Sequence, residues 1–290
     1  MGTGLWLIFG LGAALGDSGA DVVTKRWFSR LPPYGMAMVR LLGAIPFLAL
    51  AACFIIVPHL DRTFFLIVAG MLPLEIAAML LYMRSLKICD LSLCVPFLSF
   101  TPVFLIFTGW LILGEGLNHW GILGTLLIAG GSYFLGLGPG RRGILDPFKA
   151  LAREPGSRLM LLVAALYSCT AALYKLAILH SLSVFFGVLY PSVFIGLMLA
   201  GYPLSRERSL PARSHSGWWL AAGFCFALST LCLAGGVKLA PITYLVAVKR
   251  LSLLISVSLG GMWLKERPFL PRIVGASLMF AGVALVTLKG

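Results

Sequence analysis

Residues 113–131, LGEGLNHWGILGTLLIAGG, return in altered form at 264–285 as LKERPFLPRIVGASLMFAGVAL. At an offset of 151, Gly114-Glu115 falls on Lys265-Glu266, Gly124 and Gly131 fall on Gly275 and Gly282, and Lys87 falls on Lys238. Near the start of each half, Lys25 falls on Lys175 at an offset of 150. Self-similarity at one fixed spacing marks a duplicated unit, and here the unit is close to half of the 290 residues.

Composition says what the unit is made of. Hydrophobic residues make up 60% of the chain and charged residues 11%, where a soluble domain carries roughly 25% charged residues. A water-soluble fold of this length has too little interior to hide so many apolar side chains, so lipid is the solvent for most of the surface. A bilayer core about 30 Å thick takes about 20 apolar residues per helix. Ten such runs are read, at 4–24, 34–57, 63–84, 91–112, 118–138, 157–179, 183–203, 216–238, 241–263 and 269–288. The first is too long for a signal-peptide core and lacks a basic leader, so it is expected as a retained helix.

The expected fold class is therefore an all-α integral membrane protein whose ten transmembrane helices form two five-helix repeats. Five is odd, so the second copy enters the membrane upside down. Inverted repeats of this kind characterise secondary transporters, with the substrate site near the midplane between them. The expected boundaries are a first repeat over 1–138, a basic linker over 139–156 and a second repeat over 157–290. The longest gap, Gly138 to Arg158, reads GPGRRGILDPFKALAREPGSR and holds five basic residues with glycine and proline, a linker composition.

A net charge of +13 raises nucleic acid as a partner, but the basic residues sit in short gaps between apolar runs and no soluble domain carries them. The gaps after runs one, three, five, seven and nine, with their flanks, hold sixteen: Lys25, Arg26, Arg30, Arg84, Lys87, Arg141, Arg142, Lys149, Arg153, Arg158, Arg206, Arg208, Arg213, Lys265, Arg267 and Arg272. The other side holds three, Arg62, Lys238 and Lys289. The positive-inside rule then puts both termini on the non-cytoplasmic side. Short loops suit a bacterial or archaeal inner membrane. The six cysteines, Cys53, Cys89, Cys94, Cys169, Cys225 and Cys232, lie in or beside apolar runs without CxxC spacing, and are read as small packing residues.

The residues now reach a family resemblance. The helix start MAMVRLLGAIPFL and the two copies of the LGEGL/LKERP element resemble the drug/metabolite transporter superfamily, in the branch with paired EamA-type domains, over essentially the whole chain. The second copy is the better match, since Gly114 stands where a basic residue precedes the acid. The resemblance implies the ten-helix transporter fold. It leaves the cargo open among amino acids, sugars, nucleotide sugars, organophosphates and lipid-linked sugars.

Ionisable groups inside a membrane cost several kcal/mol unless paired or facing water, so each is a candidate for function. Lys249 and Arg250 fall near the middle of run nine, where snorkelling to headgroups is difficult. A Lys–Arg pair suits an anion, the Arg as a bidentate fork and the Lys as a point charge; the alternative is pairing with a buried acid. The pair resembles one on the corresponding helix of plastid phosphate translocators, where the resemblance implies a grip on substrate phosphate. Glu75, after Pro73, has two readings: a proton carrier, or a counter-ion to Arg40, Lys175 or the Lys249–Arg250 pair. Lys175, beside Tyr174, is read either as a substrate contact or as a snorkelling cation. Arg40 matches the Arg at the start of the second helix of EamA-type domains, and is read as an anchor or ion-pair partner with substrate contact as the alternative. Asp17, Asp21 and Lys25 share one helix face; Asp21 with Lys25 reads as a structural i, i+4 pair, and Asp17 as a deeper residue able to line a cavity.

Tyr82 and Tyr190 are the leading cavity-wall aromatics, ahead of Tyr174, Tyr244 and Trp27. Pro96, Pro102 and Pro191 are read as helix bends, either static or gating. Glu115 and Glu266 are assigned to structure, as acids satisfying free N–H groups where a helix begins. The glycine pairs Gly124/Gly131 and Gly275/Gly282 are assigned to close helix packing.

No phosphate-binding glycine loop, HExxH or convincing Ser/His/Asp set is present, and His59, His119, His180 and His215 lie at or near the ends of runs. No enzyme activity, cofactor or metal is expected. The leading expectation is alternating-access transport of a small anionic or zwitterionic metabolite, driven by an ion gradient such as protons, by exchange for a counter-substrate, or downhill. A flippase for a phosphate-bearing lipid is the second reading and a non-transporting membrane receptor or scaffold the third. Expected partners are the small-molecule or lipid-phosphate substrate and the membrane lipids.

Overall fold

The structure, a computed structural model, describes residues 4–89, 97–135, 154–201, 216–255 and 270–289. Regular structure among these residues is helical. Ten helices follow in order: α1 (Leu5–Phe28), α2 (Pro33–Ala52), α3 (Arg62–Ile88), α4 (Thr101–Leu113), α5 (His119–Leu135), α6 (Pro155–Leu179), α7 (Ser183–Gly201), α8 (Ser216–Gly236), α9 (Ile242–Lys249) and α10 (Leu270–Lys289). Six of them, α1, α2, α3, α6, α7 and α8, are long and apolar enough to cross a membrane. Most of the linker expected at 139–156, together with Pro96, Cys94 and Glu266, lies outside the described residues.

The outer surface carries the apolar side chains that a soluble protein would bury. Phe54, Ile8, Phe107, Leu111, Leu66 and Phe280 are each exposed by 60% or more. Apolar surface on this scale marks contact with lipid rather than water. Asp61, in the loop before α3, accepts from the Phe64 N–H at 2.8 Å and meets His180 Nδ1 at 2.9 Å. That N–H and the imidazole hold its carboxyl below the usual carboxylate range.

Contacts between the halves come in exchanged pairs. Helix α1 packs on α8 as α3 packs on α6, and α1 meets α9 as α4 meets α6. Each of α2, α4 and α5 also meets its own counterpart, α7, α9 and α10. The glycines of the repeated element make the last of these contacts possible: a Cβ on Gly131 would stand 2.5 Å from Gly275 O, and one on Gly282 would stand 2.6 Å from Gly124 O. Helices without a hydrophobic drive between them associate through such close backbone contact.

Backbones meet most closely between α2 and α8, where a Cβ on Gly223 would lie 1.8 Å from the Gly43 carbonyl carbon. Gly223→Val is therefore expected to force α2 from α8 at a cost at or above the ~1–3 kcal/mol of ordinary overpacking. Gly70→Ala, with no atom within 4 Å of the added Cβ, should be nearly silent. Folded yield by size exclusion compares the two, and equal yields would refute the close-approach argument. Cys225 and Cys232 do act as packing residues: their thiols seat against Gly19 and Gly12 of α1. Cys89 departs from the packing reading, since it is disulfide-bonded.

Two runs read as continuous helices are interrupted. Run four has a turn at Ser99–Phe100 before α4 begins, and run nine has a turn at Arg250–Leu251 after α9 ends. The breaks are repeat-related, since 99 + 151 = 250 and 100 + 151 = 251. In the first, Pro102 at the start of α4 has no N–H to give to Leu98 O, and Thr101 Oγ1 donates to that carbonyl instead at 2.6 Å. In the second, bonds tighten to i→i+3 spacing: Arg250 N to Ala247 O at 3.0 Å, Leu251 N to Val248 O at 2.9 Å, and Leu253 N to Arg250 O at 3.1 Å.

Candidate functional site

A cavity of about 170 Å³ lies between the halves, bordered by both broken helices. Asp17, Asp21, Arg40, Glu75 and Tyr82 enter it from α1, α2 and α3, and Tyr190, Lys249 and Arg250 from α7 and the α9 break. Lys249 closes the last turn of α9 and Arg250 caps it. The negative end of a helix dipole favours cations there. Their position at a helix end corrects the mid-helix placement read from the apolar run.

Four of these charges pair with each other. Arg40 Nη2 lies 2.8 Å from Asp21 Oδ1, its Nε donates to Thr24 Oγ1 at 2.9 Å, and its guanidinium stands over the Tyr82 ring. Tyr82 donates its hydroxyl to the same Asp21 oxygen at 2.7 Å. Asp21 is thus the partner of Arg40, which corrects the i, i+4 pairing with Lys25. Lys25 Nζ reaches past the end of α1 to Leu86 O at 2.6 Å and Cys89 O at 3.2 Å. Lys249 Nζ lies 3.1 Å from Asp17 Oδ2, and Ser229 donates to the other Asp17 oxygen at 2.6 Å.

Two charges are left over. Arg250 is 6% exposed, and its Nε has no hydrogen-bond partner among the described residues. Glu75 makes no ion pair among them; it shares the cavity wall with Thr170 and with Lys249, which Asp17 already holds. Tyr167, Tyr174 and Tyr190 line the same cavity as Glu75. The hydroxyls of Tyr174 and Tyr190 are buried without a partner among the described residues, an uncommon state for buried polar groups.

Lys175 stands apart from the cavity wall. Its ammonium pairs with Glu115 and donates to Ala240 O at 2.8 Å. The other Glu115 oxygen accepts from the Ile242 N–H at 3.1 Å, so this acid caps α9, in the other half, rather than the helix that follows it in sequence. Thr170, Ser229, Thr230 and Tyr167 also line the cavity without having been singled out in the sequence. Hydroxyl groups scattered through apolar helices carry no charge signal, and only packing shows which of them face inward.

The sequence matches the EamA-like transporter family over residues 4–137 and again over residues 155–288. It matches no curated protein. One solved crystal structure of a protein aligns over 98% of this chain and 99% of its own, with a TM-score of 0.75 and 15% identity, which is a likeness of fold.

Proposed function

From the premise that the chain belongs to the EamA-like transporter family, we propose that it moves a small anionic or zwitterionic metabolite by alternating access, with Lys249 and Arg250 at the binding site. Membership makes it an integral membrane protein and a transporter of the drug/metabolite type rather than an enzyme. The observation that carries the finer reading is Arg250, a buried cation on the wall of a central cavity whose neighbouring acids are committed to Arg40 and Lys249. A buried charge without a partner is costly; an anionic substrate group satisfies it. The exchanged contacts of the two halves and their repeat-related helix breaks support an inverted repeat. Broken helices at a midplane site are a recurring transporter device. The distribution of Lys and Arg supports both termini outside a bacterial or archaeal inner membrane.

The test is counterflow in proteoliposomes against a panel of carboxylates, organophosphates and amino acids. Arg250→Gln should lower transport of the accepted compound by about thirtyfold or more, the effect of losing ~2 kcal/mol or more of charged hydrogen bonding. Lys249→Gln should lower it less, because Asp17 already neutralises that cation. Full transport by well-folded Arg250→Gln would remove the binding assignment.

A further inference from the structure

The charge pattern of the cavity assigns a second, opposite subsite. Among the six acidic and basic side chains on its wall in the described residues, Asp21 with Arg40 and Asp17 with Lys249 are closed pairs, at 2.8 and 3.1 Å. One cation and one anion remain, Arg250 and Glu75, and they arise from different elements: the α9 break, and α3 just past Pro73. Both line the same cavity and Tyr167 interacts with each of them, whereas Tyr174 and Tyr190 interact with Glu75 alone of the two.

The surroundings of Glu75 have a particular chemistry. Tyr174 and Tyr190 stand edge to face, with centroids 5.7 Å apart and planes at 84°, so two ring walls meet as a corner in the cavity that Glu75 also lines. Phe186 backs both rings, at 4.9 Å from Tyr174 and 5.3 Å from Tyr190, and Phe194 extends the wall behind Tyr190. Ring faces attract organic cations, and an adjacent carboxylate adds a full negative charge. The Tyr174 and Tyr190 hydroxyls, without a partner among the described residues, supply acceptors for ammonium N–H groups.

We propose that Glu75, with the aromatic corner of Tyr174 and Tyr190, is an ammonium subsite, so that the substrate carries an organic ammonium group for this corner and an acidic group for Arg250. The inference rests on the transporter reading above and narrows it from anion-or-zwitterion to zwitterion. A zwitterion leaves the electroneutral cavity electroneutral, whereas a lone anion on Arg250 would leave Glu75 as uncompensated buried charge. Size agrees with a small molecule: a cavity near 150 Å³ holds a guest such as benzene, so 170 Å³ suits a ligand on the order of ten heavy atoms.

The test separates the subsites with three probes on purified full-length protein: ethylammonium (cation alone), acetate (anion alone) and β-alanine (both). Binding is read by thermal shift and calorimetry. Wild type should bind β-alanine more tightly than either fragment. Glu75→Gln should weaken ethylammonium by about tenfold or more and leave acetate unchanged, and Arg250→Gln should do the reverse. Tyr190→Phe should keep more ethylammonium affinity than Tyr190→Leu, because the ring face survives. Acetate binding that depends on Arg250, together with ethylammonium that fails to bind or is indifferent to Glu75→Gln, would overturn the ammonium subsite and leave the anion site standing. Loss of acetate dependence on Arg250 while ethylammonium still needs Glu75 would instead overturn the anionic half of the transporter reading.

Discussion

Asp21→Ala is expected to cost the fold about 3–5 kcal/mol, the range for stripping a buried charge of its partner. The pair spans α1 and α2, with Arg40 6% and Asp21 13% exposed in their side chains. Without the carboxylate, Arg40 keeps as direct partners among the described residues the neutral Thr24 hydroxyl and the face of Tyr82, with Asp17 the acid still acting on it. Tyr82 loses the acceptor for its hydroxyl at the same time. Unfolding in mixed micelles against a denaturing detergent gives the measurement. The double variant Asp21→Ala/Arg40→Met should recover most of the loss, because an apolar side chain of similar length leaves no stranded charge. Equal instability of the single and double variants would show that the carboxylate matters for another reason.

Asp21 also shows where sequence reasoning reaches its limit. The i, i+4 rule pairs it with Lys25 because a sequence makes only local neighbours visible. The structure gives Lys25 an alternative outside its own helix, at the carbonyls that end α3, and frees Asp21 for a cation on the next helix. Glu115 follows the same pattern: an acid ahead of a helix reads as the cap of that helix, but it caps α9, which follows 127 residues later. Hydropathy placed the helices well, since burial in lipid constrains every residue of a span. It missed the break at Arg250, because the i→i+3 turn there has no proline or glycine to mark it, whereas Pro102 at least signals the counterpart near Ser99. Arg40, Glu75, Asp17, Tyr82, Tyr190, Lys249 and Arg250 were legible as site candidates because charge and interrupted helices are costly in a membrane. Lys175 satisfied the same criterion and lies off the cavity wall, paired with Glu115, since the criterion detects any buried charge and says nothing of where it is buried.

Lys175→Met is expected to change from which side of the membrane the cavity can be reached, and Lys25→Met is expected to change it in the opposite sense. The two lysines are repeat mates, and they make the same bond. Lys175 donates to Ala240 O at 2.8 Å and Lys25 to Cys89 O at 3.2 Å, and these acceptors are themselves 151 residues apart, each at the junction between the third and fourth helices of its half. Lys175 also holds Glu115, which caps the first free N–H of α9, the helix that ends in Lys249. Lys175 therefore ties the base of α9 to the first helix of its half, and Lys25 ties the end of α3 to the first helix of the other. In an inverted repeat those two ties face opposite membrane surfaces. Removing a buried charged hydrogen bond removes about 1.5–3 kcal/mol, enough to move a two-state equilibrium roughly tenfold or more. The readout is the labelling rate of Thr230→Cys, on the cavity wall, in a background without other cysteines. A membrane-impermeant thiol reagent is applied to right-side-out and to inverted vesicles. About tenfold faster labelling from one side in Lys175→Met, and from the other side in Lys25→Met, is the expected result. Both variants opening the cavity to the same side would contradict opposed ties, and unchanged labelling in both would mean that the lysines only hold the fold together.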